Sequence, residues 1–236
     1  MKAYKTIGIT GASGSLGKEL TKIFRKKGFK VIGFTHGKTD HEINDESPNE
    51  WINWECGKEF ELEKNLKLID ILILNHGIYD RNCQNENYEN SLEINALSKL
   101  KFLNLFEEIA KANESEKKEI WINTSEAELL PALNPSYEIS KSLIGQLVSF
   151  KKNLLDINTK KKLKIRKIIL GPFKSELNPI GIMSPQYVAK MIINFVNSNN
   201  YLIIVSPNPM THIIFPLKET YNYLYCQLLK MTNLHS

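Results

Sequence analysis

Two side chains four residues apart have the chemistry of a proton-transfer pair. Tyr137 and Lys141 stand at the ends of a Tyr-x-x-x-Lys segment, and residues at this spacing on a helix have Cβ atoms about 5–6 Å apart. A free tyrosine has a pKa of about 10, and a fixed cation nearby favours the phenolate and lowers that value. The pair therefore predicts a general acid/base for interconverting an alcohol and a carbonyl group. Such pairs also arise by chance on many helices, so the prediction depends on the elements around them.

The first of those elements is a glycine-rich turn between a strand and a helix. The β-rich run Tyr4–Thr10 leads into Gly11–Gly17 (Gly-Ala-Ser-Gly-Ser-Leu-Gly), then into an amphipathic helix that ends at Gly28 and a second strand at Lys30–Thr35. Glycines allow the backbone to approach a pyrophosphate, and a helix N-terminus offers unpaired N–H groups to its negative charge. In this order of elements, the turn predicts a dinucleotide-binding site.

The rest of the chain also alternates strands with helices. This alternation predicts an α/β fold with a doubly wound parallel sheet of the Rossmann type, three layers thick, in a single domain that spans residues 1–236. Further strands are predicted at Trp51–Cys56, Leu68–Asn75, Glu119–Thr124, Leu163–Leu170 and Tyr201–Ser206, and helices at about Leu92–Ala112, from the Tyr137 segment to Leu155, from Ser184-Pro185 to Asn197, and at Phe215–Met231.

Candidate site residues come directly after the predicted strands. In a doubly wound sheet, ligands bind outside the carboxyl ends of the strands. Four segments meet that condition: the Gly11–Gly17 turn, Asn75-His76-Gly77, Ser125, and Gly171-Pro172. Their convergence on one edge of the sheet does not depend on any single motif, and it predicts where the site lies.

Taken together, these residues resemble the short-chain dehydrogenases/reductases, and the resemblance covers nearly the whole chain. Thr10–Gly17 is similar to that family's nucleotide loop, and Leu74–Gly77 to its Asn-Asn-Ala-Gly turn. Gly171–Ser175 resembles the segment that contacts the nicotinamide end of the cofactor. The family's catalytic residues are matched, in order and spacing, by Asn95, Ser125, Tyr137 and Lys141.

The resemblance implies a mechanism and a set of cofactor contacts. Tyr137 would give a proton to the carbonyl or take one from the alcohol, Lys141 would lower the Tyr137 pKa and hold the nicotinamide ribose, and Ser125 would hydrogen-bond the substrate oxygen. Asn95 would position a water that links Lys141 to solvent, while hydride passes directly between nicotinamide and the substrate carbon. The implied cofactor-binding residues are Gly11, Ser13, Gly14, Ser15, Leu16, Gly17, Thr35, His36, Lys38, Asn75, Gly77, Tyr137, Lys141, Gly171, Pro172, Phe173 and Ser175.

Three residues depart from the family's pattern. Ser15 stands where the compact branch has Gly, so the glycine spacing matches the branch of longer chains that includes epimerases and dehydratases. We nevertheless expect the compact branch, because the sequence lacks the extra C-terminal substrate domain of the longer one. Leu74 and His76 replace the first Asn and the Ala of the Asn-Asn-Ala-Gly turn, and we interpret His76 as a packing residue rather than a catalyst.

The cofactor prediction rests on the end of the second strand. A carboxylate there would bind the adenosine ribose of NAD and repel a 2′-phosphate. The sequence instead has Thr35, His36 and Lys38, which could hold a phosphate, so NADP is predicted, with NAD as the alternative. Glu55 and Cys56, after the third strand, are expected beside the adenine.

The segment that would cover the substrate is short. It lies between Gly171 and Ser184 and is mostly apolar, which predicts an open pocket for a small-molecule carbonyl or alcohol substrate that can be bulky and apolar. The resemblance implies a homodimer or homotetramer that forms through the two long central helices. We expect the aromatic tail, Ile213–Tyr225, in core or dimer packing, with contact to the pocket or to a membrane surface as alternatives.

Composition argues against several other classes. The chain has 31 Lys and Arg against 26 Asp and Glu, for a net charge of +5. The densest basic stretch, Lys160–Lys167, has no interleaved aromatics, so we interpret it as a solvated loop that leads into the Leu163–Leu170 strand rather than as a nucleic-acid platform. Glu126 and Glu128 are interpreted as loop charges. The sequence has no membrane-length apolar run and no signal segment. Its three cysteines fit neither a disulfide framework nor a metal site, so a cytoplasmic protein with reduced thiols is expected.

The leading prediction is an NAD(P)-dependent oxidoreductase that acts on a carbonyl/alcohol pair. A regulator that binds a nucleotide but turns over nothing is a second hypothesis, although a binding module does not need the Tyr137–Lys141 pair. A third hypothesis, an epimerase or dehydratase that acts on a nucleotide sugar and retains NAD tightly, is suggested by the glycine spacing alone.

Overall fold

The computed structural model describes residues 6–36, 44–79, 88–113, 117–198 and 200–232. Within these ranges, seven strands form one sheet in the order β3-β2-β1-β4-β5-β6-β7. Every pairing is parallel, which confirms the predicted doubly wound sheet. The strands are β1 (Thr6–Thr10), β2 (Lys30–Thr35), β3 (Glu50–Asn53), β4 (Ile71–Leu74), β5 (Lys118–Ser125), β6 (Leu163–Leu170) and β7 (Leu202–Val205).

Helices connect the strands and cover the sheet. A π-helical segment, Glu93–Leu97, joins two of them into one continuous helical run. Among the described residues, no helix is both long and apolar enough to cross a bilayer. The α-helices are α1 (Ser15–Lys26), α2 (Glu63–Lys67), α3 (Tyr88–Leu92), α4 (Ser98–Ala112), α5 (Pro135–Leu154), α6 (Ile157–Lys162), α7 (Pro185–Val196) and α8 (Pro209–Thr232).

Two apolar cores, one on each face of the sheet, account for the three layers. One core is formed with α1 and α7 and includes Phe24 and Ile192. The other is formed with α2, α4 and α5 and includes Phe102 and Val148. The central strand β4 is buried along its whole length and alternates between the two cores. A parallel strand buried on both faces needs apolar residues at every position, which is why this strand is a continuous apolar run in the sequence.

The strand order reverses beside β1. From β1 the chain first builds outward to β2 and β3, and then returns to place β4 on the opposite side of β1. The connections that follow β1 and β4 therefore diverge to opposite sides, which leaves a crevice between them at the carboxyl ends of the strands. The glycine turn after β1 and Asn75-His76-Gly77 after β4 border this crevice.

Several element boundaries differ from the prediction. Residues Ile157–Lys162, which lie in or beside the predicted solvated loop, form helix α6, whose N-cap Asp156 accepts a hydrogen bond from Thr159 N. Helix α8 begins at Pro209 and runs through Pro216, six residues before its predicted start at Phe215. Strand β3 ends at Asn53, although Trp54 N still donates to Thr35 O at 3.1 Å.

The end of the basic stretch is buried, so its interpretation as solvated was wrong. Arg166 pairs with Glu119 in the core, and both side chains are 4% exposed. Lys167 is fully buried, with Nζ 2.8 Å from Glu128 Oε2 and 2.8 Å from Glu219 Oε1. These partners are distant in the sequence, and they supply the opposite charge that a buried cation requires.

Candidate functional site

A groove of about 450 Å³ opens where the strand order reverses. It follows the carboxyl ends of β1, β2 and β4, as the sequence predicts. Among the predicted cofactor-binding residues, its walls contain Gly11, Ser13, Gly14, Ser15, Leu16, His36, Asn75, Gly77, Phe173 and Ser175. The walls also contain Glu55, Cys56, His76, Ile78, Ile94, Glu176 and Leu177.

Four other predicted cofactor residues lie beside the groove and support its walls. Gly17 lies beneath the glycine turn, and Thr35 is buried at the end of β2. Gly171 packs against Ser206, where a Cβ would lie 2.7 Å from Oγ. The Pro172 carbonyl accepts backbone hydrogen bonds from the segment that covers the site. Direct contact of these four residues with a cofactor stays a prediction.

The glycine turn is shaped to receive an anion. Gly11 has φ +63°, and a Cβ there would lie 3.0 Å from His76 Cα. A Cβ on Gly17 would lie 2.2 Å from Gly11 O, so both positions require glycine. Gly14 is the N-cap of α1 and offers no side-chain cap, and the first turn of α1 has no acidic residue. The first N–H groups of α1 can therefore bind the phosphates of a dinucleotide.

The far end of the groove carries polar and aromatic side chains. Ser13 Oγ and Thr35 Oγ1 are 3.4 Å apart. The His36 ring lies 4.3 Å from Trp54, and its Nε2 is 3.7 Å from Cys56 Sγ. Partial burial lowers the pKa of His36, so at neutral pH the ring would reach a phosphate as a hydrogen-bond donor rather than as a cation. Lys38, the other predicted phosphate ligand, lies outside the described residues.

The Asn75-His76-Gly77 turn is tied to β1 and β5. Thr10 Oγ1 accepts a hydrogen bond from Asn75 N at 3.0 Å and lies 2.7 Å from His76 Nδ1. Asn75 Nδ2 donates to Gly11 O at 3.2 Å, and Asn123 Nδ2 donates to Asn75 Oδ1 at 2.9 Å. His76 is buried and packs 5.1 Å from Trp54, which agrees with its interpretation as a packing residue. These bonds fix the groove wall to β1 and β5.

Asn95 fastens the inner end of the groove to α5. It lies in the π-helical segment, a local form that often marks functional sites. Its Nδ2 donates to Ile78 O and to Ser140 Oγ, each at 3.1 Å, and its Oδ1 accepts from Ile78 N at 2.9 Å. A Cβ on Gly77 would lie 2.8 Å from Asn95 Oδ1 and 3.5 Å from Lys141 Nζ. Gly77 is therefore the point where the groove meets the predicted catalytic residues.

Tyr137 and Lys141 occupy successive turns of α5, as their spacing predicts. The Asn134 side chain caps this helix by accepting a hydrogen bond from Tyr137 N at 3.0 Å, and Pro135 follows the cap. Lys141 Nζ lies 5.1 Å from the centroid of the Tyr137 ring. The Tyr79 ring packs edge-on against Tyr137, with 5.1 Å between centroids. The helix start and this ring contact hold the phenol in place.

The pKa of Tyr137 differs from the prediction. Burial raises it, the hydrogen bond with the Ser125 side chain opposes that rise, and Glu126 adds to it. Lys141 therefore does not set a low phenol pKa in this structure, because burial of the phenol is the larger effect and the Lys141 ammonium lies over the ring. Ser125, at the end of β5, is the group that favours the phenolate.

Lys141 shares its environment with a second buried lysine, Lys99. Burial lowers the pKa of Lys141 to about 8, while Glu128 and a hydrogen bond with Lys99 oppose the fall. Burial and the charge of Lys141 hold the pKa of Lys99 well below its ordinary range. Lys99 Nζ donates to Asn123 O at 2.7 Å. Two buried lysine side chains therefore lie side by side below the site, and burial disfavours the charged form of each.

The two acidic residues after Ser125 are not the loop charges that we expected. Glu126 Oε2 accepts hydrogen bonds from Ser206 Oγ at 2.7 Å and from Thr211 Oγ1 at 3.0 Å, which ties the site to the start of α8. Glu128 is fully buried beside Lys167, and burial raises its pKa. Both carboxyls have structural partners that only the tertiary fold brings near.

Three residues of the site were missed from the sequence: Trp54, Tyr79 and Lys99. Trp54 and Tyr79 follow strands, but aromatic residues at such positions are ordinary core residues, and nothing in the sequence distinguished them. Lys99 carried a usable signal, because it lies four residues after Asn95 and so on the same helical face. We overlooked it because a lysine in a helix is usually exposed.

Comparison with known proteins gives one relative at substantial identity. No model of a known protein family matches the sequence. A monoglucosyldiacylglycerol epimerase from Synechocystis sp. is 40% identical over 226 residues, which cover 94% of this chain. The aligned region covers 54% of that epimerase, so this chain spans about half the length of its relative.

Solved structures with the same fold are short-chain dehydrogenases. One from Sphingobium yanoikuyae, in complex with NADPH, has a TM-score of 0.78 at 16% identity and covers 94% of this chain and 95% of its own. A bulky-bulky ketone specific alcohol dehydrogenase from Comamonas testosteroni has a TM-score of 0.76 at 16% identity, with coverages of 94% and 93%. Another from Burkholderia cenocepacia, in complex with NADP, has a TM-score of 0.73 at 17% identity, with coverages of 95% and 97%. The resemblance in the sequence is therefore confirmed: this chain has the fold of the short-chain dehydrogenases/reductases.

Proposed function

We propose that this chain is an enzyme that binds NADP in the groove, with NAD as the alternative, and interconverts an alcohol and a carbonyl group. The glycine turn and the uncapped start of α1 fit the phosphates of a dinucleotide. The end of β2 presents the Thr35 and Ser13 hydroxyls and the His36 ring, with no carboxylate in Thr35–Lys38 to repel a 2′-phosphate. The similar structures that contain NADPH and NADP support the same choice.

The observation that carries the proposal is that Asn95 and Lys141 meet at Gly77, with Tyr137 one helical turn before Lys141. In this arrangement Tyr137 is the general acid/base, since its phenol lies beside both an ammonium and the Ser125 hydroxyl. Ser125 orients the substrate oxygen, and the charged form of Lys141 stabilises the phenolate when Tyr137 gives up its proton. A bound nicotinamide supplies or accepts the hydride at the substrate carbon. Asn95 holds the Gly77–Ile78 wall against α5.

Among reactions of this kind, we propose epimerisation of a sugar carbon on a glycosylated lipid. Two observations favour it: the 40% identical relative is a monoglucosyldiacylglycerol epimerase, and the glycines at 11, 14 and 17 follow the spacing of the epimerase branch. Oxidation of the carbinol followed by reduction on its opposite face inverts the centre and uses no net reductant. The apolar side chains Ile78, Ile94, Phe173 and Leu177 in the groove wall suit the lipid end of such a substrate.

Conversion of a labelled lipid tests the proposal. Purified protein with catalytic amounts of NADP or NAD is incubated with monoglucosyldiacylglycerol that carries deuterium at the epimerising carbon. We expect a stereoisomeric monoglycosyl lipid that keeps the deuterium, because the same hydride returns to the carbon. Tyr137→Phe is the control and should abolish conversion. Absence of any isomer, with cofactor bound, would contradict epimerisation of this lipid.

Net oxidoreduction is the second candidate, supported by the shared fold with the ketone-specific alcohol dehydrogenase. It predicts stoichiometric consumption of NADPH with bulky ketones, whereas an epimerase consumes none. If a sugar nucleotide replaces the lipid in this assay, isomerisation of its sugar would identify a nucleotide-sugar substrate. Binding of NADPH without turnover in any of these assays would identify a regulator.

A further inference from the structure

Three connections at the carboxyl edge of the sheet expose large aliphatic side chains beside the site. They are the loop after β5, the segment after β6, and the loop after β7 with the first turns of α8. Glu126, after β5, joins them, since its Oε2 accepts hydrogen bonds from Ser206 Oγ at 2.7 Å and from Thr211 Oγ1 at 3.0 Å. Gly171, after β6, packs against the same serine. We call the exposed aliphatic residues of these three connections the apolar rim: Leu133, Leu177, Ile180, Ile182, Met210 and Ile213.

The segment after β6 holds two isoleucines of the apolar rim outward. Ile182 N donates to Pro172 O at 3.0 Å, so the segment folds back on itself. Gly181, between Ile180 and Ile182, packs so closely on Phe173 that a Cβ would overlap the Phe173 carbonyl carbon. Phe173 lines the groove, whereas Ile180 is 89% and Ile182 74% exposed. The inner side of this segment therefore forms the groove wall, and its outer side carries two aliphatic side chains on a fixed backbone.

The loop after β5 presents Leu133 in a similar way. Glu138 Oε1 accepts hydrogen bonds from Ala132 N at 2.7 Å and from Asn134 N at 3.3 Å, on either side of Leu133. The Tyr79 hydroxyl donates to Ala132 O at 3.3 Å, which ties the loop to the site. Leu133 has φ +57°, a left-handed conformation that is costly for leucine, and its side chain is 88% exposed. Burial among the described residues does not offset that cost, which favours a contact outside the chain.

We propose that the apolar rim docks this chain on the surface of a lipid bilayer, with the entrance of the site facing the lipid. The inference rests on the proposed epimerisation of a glycosylated lipid, whose acyl chains stay in the bilayer while its sugar reaches Ser125 and Tyr137. Leu177 belongs both to the apolar rim and to the groove wall, so an apolar path leads from the bilayer into the site. Burial of the rim among the acyl chains drives the docking.

A bilayer fits the apolar rim better than a second copy of this chain does. A protein bound there would cover the entrance, whereas a bilayer is the source of the proposed substrate. The side chains project from three separate connections, and a fluid surface accepts such projections without the shape complementarity that a protein interface needs. The net charge of +5 adds attraction to anionic lipids. Within residues 126–134, 171–184 and 206–213, the exposed lysine and carboxylate side chains are Lys174 and Glu176, which balance each other, so apolar contact dominates at the rim itself.

The exposed aliphatic side chains farther along α8 lie outside the apolar rim. Helix α8 runs beside α5 to its C-terminal end, where Lys230 Nζ donates to Asn153 O at 2.8 Å. Helix α5 ends at the amino edge of the sheet, since α6 and then the first residue of β6 follow it. The exposed face of α8 therefore leads away from the site, and only its first turns border the entrance.

Flotation with vesicles tests the proposal without substrate or cofactor. The purified chain is mixed with vesicles of phosphatidylcholine and phosphatidylglycerol that contain no glycolipid. We expect wild type to float with the vesicles and to stay bound at high salt, because apolar contact is not screened. The double variant Ile180→Asn/Ile182→Asn should partition into the vesicles about tenfold less or weaker still. Release of wild type by salt, or equal partition of the double variant, would overturn the proposal.

Two further variants separate docking from folding. Ile157→Asn/Leu68→Asn is the matched control, because these residues are 73% and 64% exposed but lie at the amino edge of the sheet. It should float as wild type does, and a loss equal to that of the rim variant would overturn the proposal. Leu133→Asn should keep or raise Tm, since asparagine tolerates the left-handed conformation, and should still weaken vesicle binding. Unchanged binding in Leu133→Asn would contradict the role of this loop.

Turnover distinguishes this inference from the proposed function. The rim variant Ile180→Asn/Ile182→Asn should lose turnover of the labelled glycolipid in vesicles but keep turnover of a short-chain analogue in solution; an equal loss on both would overturn the proposal. Vesicle binding through the rim without conversion of any lipid would refute the proposed function and leave the docking surface standing. Conversion without vesicle binding would do the reverse. A wild-type dimer that the rim variant converts to monomers in sedimentation, with no vesicle binding, would assign the rim to a second copy and overturn the proposal.

Discussion

Replacing Lys167 by methionine tests how the fold tolerates charge beneath the site. Lys167 Nζ is fully buried and lies 2.8 Å from both Glu128 Oε2 and Glu219 Oε1. It also donates to Gly145 O at 2.9 Å. Helix α5 can approach Glu128 only because Gly145 lacks a side chain, since a Cβ there would meet the carboxylate. Methionine would fill the same space and leave two carboxyls without their shared cation.

The expected cost follows from these distances. At 2.8 Å and an effective dielectric of about 20, each contact contributes about 6 kcal/mol of attraction before desolvation. Desolvation offsets most of that sum, and removal of one partner from a buried pair typically costs about 3–5 kcal/mol. This is a large part of a stability of about 5–15 kcal/mol, and for a chain of this size it lowers Tm by roughly 6–20 °C.

The pH dependence of that cost has a definite sign. Burial raises the pKa of Glu128 in the folded state, and loss of Lys167 raises it further. When the pKa of a carboxyl group is higher in the folded state than in the unfolded state, that group stabilises the folded state at pH values below its unfolded pKa. This contribution is lost as the pH rises through the folded-state pKa. Lys167→Met should therefore cost more at about pH 7 than at about pH 5, because a larger fraction of Glu128 carries a proton at the lower pH.

Urea unfolding at both pH values measures the free-energy difference. Lys161→Met, an exposed lysine on α6, is the matched control and should lie within about 0.5 kcal/mol of wild type. Adding Glu128→Gln to Lys167→Met should recover part of the loss. A cost for Lys167→Met below about 1 kcal/mol, or a cost equal at the two pH values, would refute the reasoning.

Three further substitutions test the groove. Gly17→Ala places a Cβ 2.2 Å from a backbone oxygen and should lower Tm strongly. Gly14→Ala is the control: its Cβ would lie 3.4 Å from the nearest atom, so Tm should be kept while NADPH binding weakens. Equal Tm values for the two variants would contradict the packing argument. Gly77→Ala places a Cβ 2.8 Å from Asn95 Oδ1. We expect kcat to fall about tenfold or more with little change in Tm. An unchanged kcat would show that Asn95 can move freely. His36→Asp should weaken NADPH by about tenfold relative to NADH through repulsion of the 2′-phosphate, with His36→Asn as the uncharged control; parallel losses for both cofactors would remove this position from the choice.

Patterns among residues that are close in the sequence predicted most of the fold and the position of the site. The apolar run of β4, the glycine turn and the Tyr137–Lys141 spacing each follow from local periodicity or local contacts, and the structure places them as predicted. The errors concern charges whose partners lie far along the chain. The sequence placed Lys167 in a strand but could not reveal its buried ion pair, because Glu219 is 52 residues away. The pKa of Tyr137 and the burial of Lys99 depend on tertiary packing, which the neighbouring residues in the sequence do not determine.

The account depends most directly on Tyr137 acting on a substrate that shares the groove with a nicotinamide cofactor. Binding of NADPH, followed by fluorescence, and turnover of the labelled glycolipid should be measured together in wild type and Tyr137→Phe. The account predicts a dissociation constant within about twofold of wild type and a kcat lower by about a hundredfold or more, as expected for loss of a general acid/base. A Tyr137→Phe variant that binds NADPH and retains near-normal turnover would contradict it.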